Sequence, residues 1–276
     1  MSFTNCHVLS FVQEWFPAVG PYIKGILVFD TLLEEPPRDI FPGAAGWHVP
    51  AAASAYAAAK PIQHTVFFKF PEIDAEGNAL LQSIVATKFC SMPGIWAQFY
   101  SYGEQIEGCT GRDDFMAKVD WPDKTNGFTH CLFVLASGPP ALKSYLHSDF
   151  HLKDWFAGVK PFIKGIVVFD NELVPSHAEL NKATIQHTVL FKFPDIVDEV
   201  PPELEEIVVK FNTVPGIVAG FRPYGAAGFT RAGLMSEVDW PDKTDGYTHC
   251  LLVLCEDAAA LKVYLHSDFH KKVRNR

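Results

Sequence analysis

Four side chains able to handle protons occur twice in this chain at matched places: His64, His130, Tyr145 and His151, then His187, His249, Tyr264 and His270. An imidazole titrates near pH 6.5, so it can take and return a proton under ordinary conditions, and a neighbouring phenol can orient a substrate and hold developing charge. Tyr145 and His151 fall at the end of one predicted helix and the start of the next, where they could converge on a ligand, and Tyr264 and His270 repeat the arrangement. By strand alternation His64 points with Val66 and Phe68, His187 with Val189 and Phe191, and His130, like its counterpart His249, with the apolar residues of its own strand, so these histidines face an apolar pocket or core. The alternative for every one of them is structural, as buried imidazoles bonded to backbone or to each other that fix helix ends and an interface. His147 and His151 have the i,i+4 spacing that seats zinc on a helix, but Ser148-Asp149 between them reads as a helix start, and no glutamate follows His147 as in HExxH. Lys69 and Lys192 read as solvated strand ends, and Asp113, Asp114, Asp120 and Asp123 as a wet surface.

These positions are held by a repeat. IQHTVFFKFP at 62–71 returns as IQHTVLFKFP at 185–194, VDWPDKTNGFTHCLFVL at 119–135 as VDWPDKTDGYTHCLLVL at 238–254, and ALKSYLHSDFH at 141–151 as ALKVYLHSDFH at 260–270. In the first copy, residues 62–70 alternate as a strand, Glu76 to Met92 carries apolar residues at helical intervals, and Pro93-Gly94 ends that helix. Strands follow at 95–102 and 128–136, the latter apolar on both faces, with 104–127 between them predicted as loop. A helix runs from Ser137 through Tyr145, Ser148 caps the next, and Phe162–Asp170 makes a last strand. The order is β-α-β-β-α-α-β, a ferredoxin-like α+β module. One sheet face is covered by helices and the other is apolar, so two modules should bury those faces together as an internal pseudo-dimer with a barrel-like core.

The second copy stops before its last helix and strand, yet EWFPAVGPYIKGILVFD at 14–30 matches DWFAGVKPFIKGIVVFD at 154–170 in 11 of 17 positions. The expected division is therefore an orphan helix-strand segment 1–33, an Ala/Pro/Gly linker 34–60, module A at 61–172, a linker 173–183 and module B at 184–276. Residues 11–33 are expected to dock on module B and complete it, as in a circular permutation, the alternative being that they are the remnant of a third, degenerate copy and that module B is truncated.

The totals narrow the partners. A chain of 276 residues with 48% hydrophobic and 13% aromatic residues has material for two cores. A net charge of −9 repels a phosphate backbone, so nucleic acid is not expected. Lys24, Lys69 and Lys164 interrupt the best candidates for a membrane span. The first residues lack the pattern of a secretory signal, the last are not a peroxisomal tripeptide, and the six cysteines have no CxxC pair, so a reducing, cytoplasmic setting is expected.

The His-Thr-Val strand that ends in lysine, the aromatic-Thr-His strand and the Tyr-Leu-His-x-x-x-His segment together resemble the stress-responsive dimeric A/B-barrel family. Its members include boiling-stable plant oligomers and the polyketide cyclase that makes olivetolic acid. The resemblance implies a stress or plant-defence protein that binds a hydrophobic small molecule or protects other proteins. It implies as the alternative a cofactor-independent cyclase acting on a linear polyketide by intramolecular aldol closure. In that case His151 and His270 would take the proton, and Tyr145 and Tyr264 would orient the substrate. A cofactorless monooxygenase on a related barrel is a third reading. No cofactor is required by any of these, although the family suggests magnesium on backbone carbonyls matching Phe89, Met92 and Ile95, and Phe211, Val214 and Ile217.

Overall fold

The computed structural model describes residues 24–32, 61–103, 106, 108–172, 185–193, 195–196, 198–200, 202–226 and 228–267. The expected helix within 11–23, both linkers and His270 lie outside these residues.

The first described element is β1 (Gly25–Leu32). Module A then runs β2 (Ile62–Lys69), α1 (Ala75–Ile84) with a π turn over Val85–Phe89, β3 (Ile95–Ser101), α2 (Arg112–Val119), β4 (His130–Ala136) and α3 (Pro139–Leu146). It closes with a π turn over Phe150–Trp155, the short α4 (Phe156–Val159) and β5 (Gly165–Glu172). Module B contains β6 (Ile185–Lys192), α5 (Pro202–Phe211), β7 (Ile217–Pro223), α6 (Arg231–Val238), β8 (His249–Cys255) and α7 (Ala258–Leu265). The fold is α+β, with two four-stranded antiparallel sheets of order β3-β4-β2-β5 and β7-β8-β6-β1.

Strand β1 occupies in module B the place that β5 holds in module A. It pairs antiparallel with β6 so that Asp30 lies opposite His187, just as Asp170 of β5 lies opposite His64 of β2. The same side-chain pattern, GILVFD against GIVVFD, fixes the same register, because a slip of one residue would turn each buried side chain to the other face.

Each sheet has two apolar faces and needs cover on both. On the His64 side of β2 the cover is helical, with Tyr145 of α3 packed edge-on against the imidazole at 5.8 Å between ring centres. On the other side is the second sheet, where Phe67 meets Phe29 of β1 at 5.1 Å, Phe29 meets Tyr102 at 4.8 Å, and Phe169 of β5 meets Tyr224 at 5.0 Å. The two modules therefore share one buried core, the barrel-like layer expected from the strand patterns.

The polar stretch 104–127 is not all loop, since it contains α2. This helix buries only Phe115 and Val119, too few apolar positions for a period to stand out. Much of its support is tertiary. His266 at the end of α7 donates from Nε2 to the Asp120 carbonyl at 3.0 Å, and His147 of module A donates to the Val238 carbonyl at 2.9 Å. Each histidine caps carbonyls left open at the end of the other module's helix. The twice-written VDWPDKT segment also crosses between modules. The Lys124 carbonyl accepts from Val28 of β1 at 3.1 Å and the Lys243 carbonyl from Val168 of β5 at 2.9 Å, so the open edges of β1 and β5 are each bonded by the other module.

Candidate functional site

The helical turns around α3 bring Tyr145 and His151 together. Ser148 Oγ accepts from the His151 backbone N–H at 3.1 Å and bonds the Tyr145 carbonyl at 2.9 Å, fixing the turn between them. The two rings lie 4.8 Å apart. His151 Nδ1 is 3.0 Å from the Leu146 carbonyl, which can only accept, so the proton sits on Nδ1 and the lone pair on Nε2. Burial, with His64 and His147 nearby, pushes the His151 pKa down to about 4. The Tyr145 hydroxyl is buried without a hydrogen-bond partner, and burial beside Asp170 raises its pKa.

The space around this pair is filled. Phe89 packs on Tyr145 at 5.2 Å, on Phe150 at 5.2 Å and on Trp155 at 5.1 Å, and Trp155 meets Phe99 at 5.8 Å. Val66 and Phe68 are buried in the same layer, as are Val189 and Phe191 in module B. Tyr264 stands 5.9 Å from His187 and 5.1 Å from Phe211, repeating the aromatic packing.

His64 and His187 are held differently, by residues that strand patterns alone did not single out. His64 Nδ1 lies 2.6 Å from Asp170 Oδ1, and Tyr224 of module B donates its hydroxyl to the other oxygen of that carboxylate. Reciprocally, His187 Nδ1 lies 2.6 Å from Asp30 Oδ1, and Tyr102 of module A donates to Asp30 Oδ2. Both carboxylates are almost wholly buried. Burial and the adjacent carboxylate hold both phenols well above their ordinary pKa, so they stay protonated and donate to the carboxylates. The signal was present in the sequence, as an aspartate closing both matched segments at 30 and 170 and a Tyr-Gly pair at 102–103 and 224–225.

His130 borders open space. It lines a cleft of about 360 Å³ with Phe70, Ile73, Asp74, Ala75, Asn78, Ser101, Tyr102, Thr110, Gly111, Arg112 and Thr129. Its ring stacks on Phe99 at 5.4 Å, and Thr129 Oγ1 is 2.8 Å from its Nδ1. Burial pushes its pKa down to about 4. The cleft's cation is spent, since Arg112 is paired with Asp123 and bonded to Thr125.

No family model matches the chain. No curated protein matches it either. Among solved structures it is similar to a hydroxynitrile lyase from Passiflora edulis, at 13% identity and TM-score 0.31, over 42% of this chain and 95% of that one. A dimeric ferredoxin-like protein from Thermobifida fusca has 12% identity and TM-score 0.30, over 42% and 92%. A candidate monooxygenase from Fusobacterium nucleatum has 11% identity and TM-score 0.42, over 78% and 84%. Likeness at these levels concerns the fold.

The carbonyls expected to hold magnesium are partly engaged. Those of Phe89 and Met92 accept the Met92 and Ile95 N–H groups at 3.0 and 3.1 Å, and those of Phe211 and Val214 accept from Val214 and Ile217 at 3.0 and 3.2 Å. Magnesium asks for about six well-placed oxygens. A carbonyl in one hydrogen bond keeps a second lone pair and magnesium usually brings several waters of its own, so these carbonyls could supply part of its shell. Among the described residues no three His, Cys, Asp or Glu side chains gather as metal ligands. The five described cysteines form no disulfide, and no described helix is long and apolar enough to cross a membrane.

Burial depresses three described histidines, His249 among them, and the two that go furthest set a pH dependence. An unfolded imidazole takes a proton near pH 6.5, whereas His130 and His151 resist until about 4. Between these values the unfolded chain binds more protons, so stability is full above about pH 6.5 and falls as the pH drops toward 4. The limit is roughly 3 kcal/mol per histidine. Urea midpoints should fall from pH 7 to 4.5 in the wild type and fall less in a His130→Gln, His151→Gln double variant. Parallel curves would show that the imidazoles are not held neutral by the fold.

Proposed function

We propose that this chain binds a small molecule in the module A cleft beside His130, and that the packed Tyr145–His151 pair is part of the wall behind it. The observation that carries this reading is the contrast between open space at His130 and aromatic packing around Tyr145. At about 360 Å³ the cleft falls in the ~300–1,000 Å³ range of small-molecule sites. Phe70 and Ile73 offer it an apolar wall, and Asn78, Ser101 and Thr110 polar groups. With the resemblance to the stress-response A/B barrels, this supports a protein that acts by binding or protection.

Ala75 lies at the exposed start of α1 and lines the cleft, so Ala75→Trp should fill it without disturbing the core. Saturation-transfer NMR with a panel of small amphiphilic fragments should show binding to wild type that weakens at least tenfold in the variant. Fragments that bind both equally would place the site elsewhere.

The cyclase is a second reading, favoured by the unbonded Tyr145 hydroxyl beside the lone pair assigned to His151 Nε2. Linear tetraketide thioesters incubated with the protein would decide it by mass spectrometry. A cyclised acid that disappears in His151→Ala would establish the cyclase.

A further inference from the structure

The two modules treat one histidine in opposite ways. In module B, His249 Nε2 lies 2.8 Å from the backbone carbonyl of Glu199. A carbonyl only accepts, so Nε2 carries the proton, and Nδ1 must accept from the Thr248 hydroxyl 2.9 Å away. That hydroxyl is free to donate because its oxygen takes the Phe193 N–H at 3.0 Å.

Module A repeats this wiring. Thr129 Oγ1 takes the Phe70 N–H at 2.9 Å and lies 2.8 Å from His130 Nδ1, while its other carbonyl neighbours are at 3.4 and 3.5 Å. The hydroxyl therefore donates to Nδ1, and Nε2 again carries the proton. Among the described residues nothing in module A stands where Glu199 stands in module B.

The difference begins in the sequence. In module A, Asp74 caps α1 by accepting from Gly77 N–H at 2.8 Å, so residues 75–78 are wound into the helix and their carbonyls point along it. In module B the matching stretch runs into Pro201-Pro202, and α5 starts only at Pro202. A residue before proline is disfavoured in helical conformation, so the helix cannot extend backward. Residues 198–200 ahead of it are not helical, and Glu199 turns its carbonyl onto His249. His249 is fully buried, whereas His130 borders the cleft.

We propose that module B's site is occupied by its own backbone, and that module A's cleft takes a neutral ligand carbonyl, a ketone or an amide, on His130 Nε2. The Glu199 peptide carbonyl marks both the chemistry and the position of the ligand's oxygen. A carboxylate is a poorer fit, because Asp74 lies in the cleft wall and Arg112 is already paired with Asp123. The pseudo-dimer thus has one open site per chain and one closed by construction. This rests on the cleft being a binding site.

The test uses full-length protein with ¹⁵N-labelled histidine and ¹³C-labelled isoleucine methyls. Signals are assigned with His130→Gln and His249→Gln, and the probes are cyclohexanone, N-methylacetamide and methylcyclohexane. The expected result is a saturable shift of His130 Nε2 and of the Ile73 methyls with the two carbonyl probes, with His249 unmoved. Methylcyclohexane should leave His130 Nε2 unchanged. Pro201→Ala with Pro202→Ala should let α5 wind backward, free His249 and give a second saturable shift there. If Ile73 shifts with all three probes while His130 Nε2 stays still, the cleft binds but the carbonyl assignment is wrong. Equal shifts at His130 and His249 in the wild type would overturn the one-site assignment alone. If neither Ile73 nor His130 responds, the binding reading falls as well.

Discussion

Replacing Asp170 with alanine should lower the stability of this chain by about 4 kcal/mol, since it removes the shared acceptor of a buried hydrogen-bonded network. The carboxylate serves two modules at once, accepting from His64 of its own sheet and Tyr224 of the other. Its loss leaves an imidazole and a phenol buried with no acceptor, and the drop in thermal midpoint should be roughly 8–16 °C for a chain of this size. A double-mutant cycle of Asp170→Asn with Tyr224→Phe should give a coupling of about 1–3 kcal/mol, because the two side chains share one bond across the interface. Strict additivity would show that the carboxylate holds the modules separately. Asp30→Ala should behave alike through His187 and Tyr102.

Deleting residues 1–33 should abolish module B as a folded unit. The deletion removes β1, whose Ile26, Leu27, Val28 and Phe29 are all buried. At ~2 kcal/mol for each such side chain the loss is roughly 8 kcal/mol, comparable with the whole stability of an ordinary domain. It also strips the acceptor from His187 and Tyr102. Moving residues 11–33 to follow Arg276 should restore folding, because β1 would then enter module B in the chain order that β5 has in module A. Circular dichroism melts and sedimentation of the three chains make the comparison. A truncated chain that melts like wild type, or a relocated segment that fails to rescue, would break the equivalence of β1 and β5.

Much of the architecture was legible in the sequence because strand signals are local and here are written twice. The alternation in IQHTVFFK gave the strand and its two faces, and the displaced VFD segment pointed to the sheet it joins. Helix α2 was missed because two buried residues, Phe115 and Val119, are too few to show a period. The site was only half legible. Residue types placed His64, His130, Tyr145 and His151 on one side of the sheet, but whether space remains beside them depends on Phe89, Phe150 and Trp155, which converge from different elements. The Asp–Tyr links depend on residues from opposite modules, and no pattern within one strand reports a partner so far away.

The displaced strand also sets an order of events during synthesis. Module A is contiguous and can close as soon as β5 has left the ribosome, whereas Asp30 must wait for His187, 157 residues later. At about 5–20 residues per second that delay is roughly eight to thirty seconds, during which β1 is an apolar strand without its sheet. Pairing over such separation is also intrinsically slow. Nascent-chain arrest before and after residue 187 should therefore find a native module A in both cases and a protease-protected β1 only in the second.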